Sequence, residues 1–261
     1  MIASSYVISF LGMILLPIIA WIIFTRRFNL SWKLVLAGGL TFIASQIPHI
    51  PLVSAMAPFM AKNTLLVNAI ILGLLAGIFE ETSRYILFKF ILKKARTWKE
   101  GILVGLGHGG TEAIIIGVLA GLAFATMLAY RSMDLSTVPG IQADQVELAK
   151  QQVAAYWAAP IYIPFLGFIE RVSAMCLHVS LSVMVVYALA SKNPLWFWGA
   201  LLWHALVDAV AVYVISYIGA LATEGIIAVF ALISLWLVFM LRPMFPQDET
   251  SSPEQLPVSA V

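Results

Sequence analysis

Ionisable side chains interrupt four long apolar segments of this 261-residue chain. A charge at the centre of a bilayer costs about 2.5–3.5 kcal/mol on insertion scales, so it must be paired, protonated, hydrated or bound to a cation. Residues placed in this way are candidates for a functional site. They are Glu80, Glu81 and Arg84 in the first segment, His108 and Glu112 in the second, Glu170, Arg171 and His178 in the third, and His204 and Asp208 in the fourth.

The spacing within each segment predicts which of these side chains share a helix face. Residues three or four positions apart lie on one face of an α-helix. Either Glu80 or Glu81 can therefore pair with Arg84. Each histidine also lies one or two turns from a group that could orient it, in the pairs His108 with Glu112, Arg171 with His178, and His204 with Asp208.

The composition indicates an integral membrane protein. Hydrophobic residues make up 62% of the chain and charged residues only 11%, against about 45–50% and 25% in a soluble domain. The apolar segments are too long for the alternating strands of a transmembrane barrel. We therefore predict an all-α, polytopic membrane protein with about seven transmembrane helices. These are expected at residues 5–25, 33–55, 64–92, 101–130, 160–190, 195–218 and 224–241.

The predicted helices form a single transmembrane domain over residues 1–241, with an uncleaved first span and a catalytic core at 64–218. Within the loop at 131–159, residues 144–157 place apolar side chains at helical spacing. This pattern predicts an amphipathic helix on the outer membrane interface, either as a spacer or as a lid over the site. The Pro- and acid-rich residues 242–261 are predicted to form a disordered cytoplasmic tail.

The basic residues predict the orientation, because positively charged loops stay on the cytoplasmic side. With the N-terminus outside, most of them fall inside the cell: Arg26, Arg27, Lys33, Lys89, Lys93, Lys94, Arg96, Lys99, Lys192 and Arg242. The outer side then has Lys62, Arg131 and Lys150. We therefore expect a multi-pass protein of the inner (cytoplasmic) membrane, N-out and C-in. The lipid bilayer is its expected partner, and nothing in the net charge of +2 indicates nucleic-acid binding.

Depth in the bilayer brings five of the candidates to one level. Counted from the predicted cytoplasmic end of each helix, they lie about 14–20 Å below the surface. This layer comprises Glu80, Glu112, His178, His204 and Asp208. His108 lies between the layer and the cytoplasm, which favours access from inside. Glu170 lies nearer the outer side, and His49, between two prolines, lies outside the layer.

These residue types suit the hydrolysis of a peptide bond inside a membrane. The reaction needs water in a polar pocket, a base to activate it, and donors for the developing oxyanion. A glutamate supplies the base, and histidines either donate to the oxyanion or bind zinc together with a carboxylate. Two alternatives stay open. A proton-coupled transporter would use the acids and histidines as a relay, and a non-catalytic scaffold or immunity protein would bind membrane helices through the same pocket.

Four ordered motifs resemble those of the YhfC family of intramembrane peptidases. They are EETSR at 80–84, GHGGTEA at 107–113, ER with a histidine after six further residues at 170–178, and HALVD at 204–208. That family is related to type II CAAX prenyl proteases and PrsW-type proteases. The resemblance implies a CAAX-protease-like helical bundle. It also implies an intramembrane endopeptidase that acts on a membrane-associated protein or peptide.

The resemblance further implies roles for single residues. Glu80 corresponds to the water-activating base, with Glu81 and Arg84 supporting it. The other predicted catalytic residues, as oxyanion donors, metal ligands or their neighbours, are His178, His204 and Asp208. The predicted site-lining residues are His108, Glu112, Glu170 and Arg171. Two alternatives are open for the cofactor: no metal, or zinc with the ligands His178, His204 and Glu112.

Overall fold

The computed structural model describes residues 1–246 of the chain. In that range the protein is helical and contains no β-strand, which confirms the all-α prediction. Its helices are α1 (Ile2–Phe28), α2 (Lys33–Ala55), α3 (Ala57–Met60), α4 (Leu65–Ile86), α5 (Trp98–Tyr130), α6 (Val146–Ala158), α7 (Ile163–Ala190) and α8 (Leu195–Leu241).

Helix α8 contains two transmembrane spans. Gly219 has φ 74° and ψ 169°, a conformation that breaks the helical path and that glycine adopts at little steric cost. Trp203, before the break, donates to Ser234, after it, over 2.9 Å. A continuous helix would separate these residues by about 46 Å, so the chain turns back, and we call 195–218 the first limb and 220–241 the second. Among the described residues six helices are long and apolar enough to cross a membrane, and α8 is one of them. Counting its two limbs separately gives seven spans, the predicted number.

Local sequence signals set where the site-bearing helices begin. Helix α4 starts after Thr64, whose hydroxyl accepts from the amide three residues on, and α5 starts after Thr97, which forms a capping box with Glu100. Beyond Arg84, α4 continues as a π-helical turn over Leu87–Ile91. Such turns are frequent near functional sites.

Five helices close a ring around the site. Helix α2 packs on α5, α5 on α7, α7 on α8, α8 on α4, and α4 on α2, while α1 packs outside against α5 and α7. The contact of α2 with α5 is made backbone to backbone at Gly38 and Gly107. A Cβ at either position would overlap backbone atoms of Val104 or Val35. Small residues at these two positions therefore determine how closely the helices approach.

The helix ends form two opposite faces of the bundle. The N-terminal face carries the start of α1, the short helix α3, helix α6 and Gly219. The basic face carries the joints between α1 and α2, α4 and α5, and α7 and α8, with the end of α8. On the N-terminal face, Tyr156 of α6 stacks on Tyr6 with ring centroids 4.1 Å apart, and Trp157 donates to the Met127 carbonyl over 3.1 Å. A helix thus occupies the loop where the pattern predicted one.

The first residues after α8 differ from the predicted disordered tail. The ring of Phe245 is 8% exposed and packs on Tyr187 with centroids 5.1 Å apart. The guanidinium of Arg242 lies 5.1 Å from the ring centroid of Trp98. These contacts place Arg242 and Phe245 against the helix bundle. The rest of the predicted tail lies outside the described residues.

Candidate functional site

The structure brings the ionisable residues of α4, α5, α7 and the first limb of α8 into one cluster inside the ring. The imidazole centroids of His108 and His178 are 4.8 Å apart, and those of His178 and His204 are 5.3 Å apart. Glu81, Arg84 and His108 are 0% exposed. Buried charges are tolerated only when they are paired and hydrogen-bonded, so the pairing pattern determines the chemistry.

Arg84 is bound on two sides. Its Nη1 donates to the Glu81 carboxylate, and its Nη2 donates to Nδ1 of His178 over 3.2 Å. Of the two partners that the spacing allows, the structure therefore uses Glu81. The side chain of Glu80 projects about 100° away around the helix, toward α2 and α5, and does not reach the guanidinium.

Glu80 is held by residues of two other helices. Its Oε1 accepts from Nε2 of Gln46 over 3.0 Å, and its Oε2 lies 3.0 Å from Nε2 of His108. Oε2 also lies 3.9 Å from Nε2 of His204. The predicted pairing of His108 with Glu112 is wrong, because His108 reaches across the ring to Glu80 instead of along its own helix.

His178 is held in one tautomer. A guanidinium has donors only, so Nδ1 accepts from Arg84. Nε2 therefore carries the proton and donates to Oε2 of Glu112 over 2.7 Å. Glu112 also accepts from Nη1 of Arg171, whose Nη2 donates to Glu170. A chain of charged hydrogen bonds thus runs from the centre of the cluster to Glu170, whose side chain is 45% exposed.

His204 has one nitrogen held and the other turned to the cluster. Its Nδ1 lies 2.8 Å from Oε1 of Glu81, which is also bound by Arg84 and is therefore a carboxylate. Nδ1 consequently carries a proton, and Nε2 faces the cluster. Nε2 lies 3.9 Å from Oε2 of Glu80 and 3.5 Å from Oδ2 of Asp208. A histidine whose other nitrogen donates to a carboxylate is the usual arrangement of a metal ligand.

A cavity between α7 and the two limbs of α8 reaches this cluster. Its lining includes Glu80, Glu112, Glu170, Arg171, His178, His204, Asp208, Thr223 and Glu224. The far end, at Thr223, lies beside Gly219 and so near the N-terminal face. Toward the basic face Leu103 and Leu181, each 0% exposed, fill the bundle. His108, from which we expected access on the inner side, is 0% exposed and does not line this cavity.

Three of these side chains could hold a metal ion. Glu80, His178 and His204 each offer one ligand atom, and the three atoms lie within 4.8 Å of one another. Two histidines and a glutamate form the donor set of catalytic zinc sites that keep a fourth position open. The carboxylate in this set differs from the predicted Glu112. Both Glu80 and Glu112 have their two oxygens in hydrogen bonds, so the choice of Glu80 rests on the distances between the ligand atoms.

The structure adds three residues to those expected from the sequence. Gln46 binds Glu80, and its Oε1 lies 3.2 Å from Nδ1 of His49, a residue that we expected outside the layer. Gln46 and His49 are polar residues three positions apart in an apolar span, and this spacing could have identified them in the sequence. Glu224 lines the cavity at 9% exposure. It lies at the start of a predicted helix, where acidic residues are common, so the sequence did not indicate a site there.

Comparison with known proteins identifies the family of the chain. Residues 12–231 match the family described as YhfC intramembrane metalloprotease. A protein of Bacillus subtilis (strain 168) described as "Uncharacterized membrane protein YhfC" is 32% identical over 246 residues, which cover 88% of this chain and 93% of that protein. No solved structure matches the chain significantly. On both the family match and this relative, the chain belongs to the YhfC intramembrane metalloprotease family.

Proposed function

We propose that the protein is an intramembrane endopeptidase that uses zinc to hydrolyse peptide bonds of a membrane-associated protein or peptide. One observation carries the proposal: three buried residues, Glu80, His178 and His204, bring their ligand atoms within 4.8 Å of one another beside a cavity. The description of the family points to the same activity.

The same three residues would hold the zinc ion. Bound zinc polarises a carbonyl group and lowers the pKa of its water to near neutrality. His204 is oriented to act as a ligand, because its Nδ1 donates to Glu81 and its Nε2 faces Glu80. Nδ1 of His178 accepts from Arg84, so zinc binding through Nε2 would require the proton to move to Nδ1 and the hydrogen bonds to Arg84 and Glu112 to break.

Two carboxylates beside His204 can take a proton from the attacking water. Glu80 is the base that the family resemblance implies, and Gln46 and His108 hold its two oxygens. Asp208 lies 3.5 Å from His204, and its side chain is 38% exposed. If Glu80 holds the metal ion, Asp208 is the base that takes the proton of the attacking water. In a metal-free mechanism Glu80 is that base.

The proposed setting is the inner membrane, with the N-terminal face outside and the basic face in the cytoplasm. Arg242 and Lys99 lie over the aromatic rings of Trp98 and Phe28 at the basic face, as expected of cytoplasmic anchors. In this orientation the cavity extends toward the outer leaflet. The proposed partner is a substrate segment within the bilayer, and we propose no nucleic-acid partner.

The distribution of polar groups supports an enzyme rather than a proton-coupled transporter. A proton relay across the membrane needs polar groups that lead to both faces. The chain of polar groups leads from Glu81 and Arg84 to Glu170, toward the N-terminal face. On the opposite side Leu103, Leu181 and Val185 are fully buried. A non-catalytic scaffold is the remaining alternative, since it would keep the cavity and need no metal.

Zinc content and proteolysis of the purified protein test the proposal. Wild-type protein in detergent should retain stoichiometric zinc after dialysis and cleave a substrate captured with the Glu80→Gln variant. Glu80→Gln, His178→Ala and His204→Ala should lose zinc and cleavage while keeping their helical circular dichroism. The control Glu147→Gln alters a side chain of α6 that is 74% exposed and should change neither. Cleavage without zinc would support the metal-free mechanism, and the absence of both would support a scaffold.

A further inference from the structure

We propose that Glu224 binds a positively charged group of the substrate, at the end of the cavity away from the zinc ligands. The group is an ammonium or a guanidinium, supplied by a lysine or arginine side chain or by a free amino terminus. This inference rests on the proposed function for its substrate and adds a specificity-determining subsite to it.

Glu224 is a buried carboxylate with an oxygen that nothing in the protein satisfies. It lies in the second limb of α8, shortly after the break at Gly219, and is 9% exposed. Its Oε2 has no hydrogen-bond partner within residues 1–246. Leaving a buried carboxylate oxygen unpaired is costly. A donor that enters the cavity and binds this oxygen would therefore be held favourably.

No donor of the described residues is hydrogen-bonded to Oε2 of Glu224, although the Nε of Arg171 is also buried without a partner there. The two terminal nitrogens of Arg171 donate to Glu112 and Glu170, and no ion pair joins Arg171 to Glu224 in the described part of the chain. The neighbouring hydroxyl of Thr223 donates to the carbonyl of Gly219 over 2.9 Å. Within residues 1–246 the donor for Oε2 is therefore missing, and in the proposal the substrate supplies it.

The charge of the cavity favours a cation over a neutral donor. Among the described residues its lining has one guanidinium, that of Arg171, and five carboxylates: Glu80, Glu112, Glu170, Asp208 and Glu224. A divalent cation on Glu80 would still leave carboxylates in excess. The side chain of Glu170 is 45% exposed, and Glu224 is 9% exposed. An entering cation is attracted by both, and an acidic side chain is repelled.

Peptide binding tests this subsite separately from proteolysis. The probes are alanine- and leucine-rich peptides of equal length, labelled with a fluorophore at a C-terminal cysteine. Each carries one lysine, one norleucine or one glutamate, and each is made with a free and with an acetylated amino terminus. Fluorescence anisotropy with the full-length protein in detergent gives the dissociation constants.

The wild type should bind the lysine peptide about tenfold more tightly than the norleucine peptide, as expected for a hydrogen bond to a charged group. Glu224→Gln should abolish this difference while retaining zinc. Glu147→Gln, the exposed control on α6, should keep the difference. If the preference depends on the free terminus instead of the lysine, the amino terminus is the bound group.

Equal binding of all the peptides by the wild type would overturn the proposal, as would an undiminished preference in Glu224→Gln. If Glu224→Gln does not fold, Glu224→Asp replaces it, because a shortened carboxylate should reduce the preference without removing the charge. A protein that prefers cationic peptides and cleaves nothing contradicts the proposed function alone. A protein that cleaves its substrate without any charge preference contradicts the subsite alone.

Discussion

His204 donates from Nδ1 to Oε1 of Glu81 across 2.8 Å, although the two residues lie on helices far apart in the sequence. Glu81 is also bound by Arg84 and cannot turn away. The imidazole is therefore fixed with Nε2 toward Glu80. Glu81 is 0% exposed and is not part of the cavity lining, so it acts through His204 as a positioning residue.

Glu81→Gln should weaken zinc binding although it removes no proposed ligand. Replacing the carboxylate that orients a ligating histidine lowers metal affinity by about 10–100-fold. Competition with a chromogenic zinc chelator measures the change, and Glu147→Gln serves as the exposed control. If Glu81→Gln binds zinc as tightly as the wild type, Glu81 does not orient a ligand.

Arg84→Met should destabilise the protein, because it leaves the carboxylate of Glu81 buried without an opposite charge. Removal of one partner of a buried ion pair costs about 3–5 kcal/mol. Thermal unfolding in detergent, followed by circular dichroism, should show a lower Tm. The double variant Arg84→Met with Glu81→Gln should recover part of the lost stability, since no charge is then left unpaired. A double variant that unfolds at the Tm of Arg84→Met, or below it, would contradict the coupling.

The sequence alone predicts the helices and most members of the cluster for a physical reason. A charge inside an apolar helix is recognisable without any neighbour, because its cost in a bilayer depends on depth and depth follows from counting residues. Glu80, His178 and His204 were identified in this way and do lie together. Even the turn between the limbs of α8, at Gly219, fell in the short gap between two predicted spans.

The pairing of these residues could not be predicted from spacing, because it depends on the rotation of each helix against its neighbours. The spacing allowed Glu80 or Glu81 as the partner of Arg84, and the packing of α2 against α4 and α5 turned Glu80 away. Gln46 and Glu224 were missed for a related reason. The role of each depends on its neighbours from other helices, which the sequence does not show. Gln46 lies beside the carboxylate of Glu80, and Glu224 lies beside the cavity.

Gln46→Leu should impair the site, because Gln46 donates to Oε1 of Glu80 over 3.0 Å. Leucine has a similar volume and no donor, so the change removes the hydrogen bond with little loss of packing. We expect zinc affinity or the cleavage rate to fall by about 10–100-fold, as for other residues that orient a metal ligand. Gln151→Leu, on the exposed side of α6, is the matched control. Equal zinc affinity and cleavage in both variants would remove Gln46 from the site.

A single methyl group at Gly107 should disturb the contact of α2 with α5. An alanine Cβ there would overlap the backbone of Val35, and overpacking of this kind costs about 1–3 kcal/mol. His108 follows Gly107, so the shift of α5 should also weaken its contact with Glu80. At Gly225 no described atom lies within 4 Å of an added Cβ, and alanine in a helix is more stable than glycine by about 0.5–1 kcal/mol. The Tm should therefore fall in Gly107→Ala and rise in Gly225→Ala, and a rise in both would show that the helices need not touch.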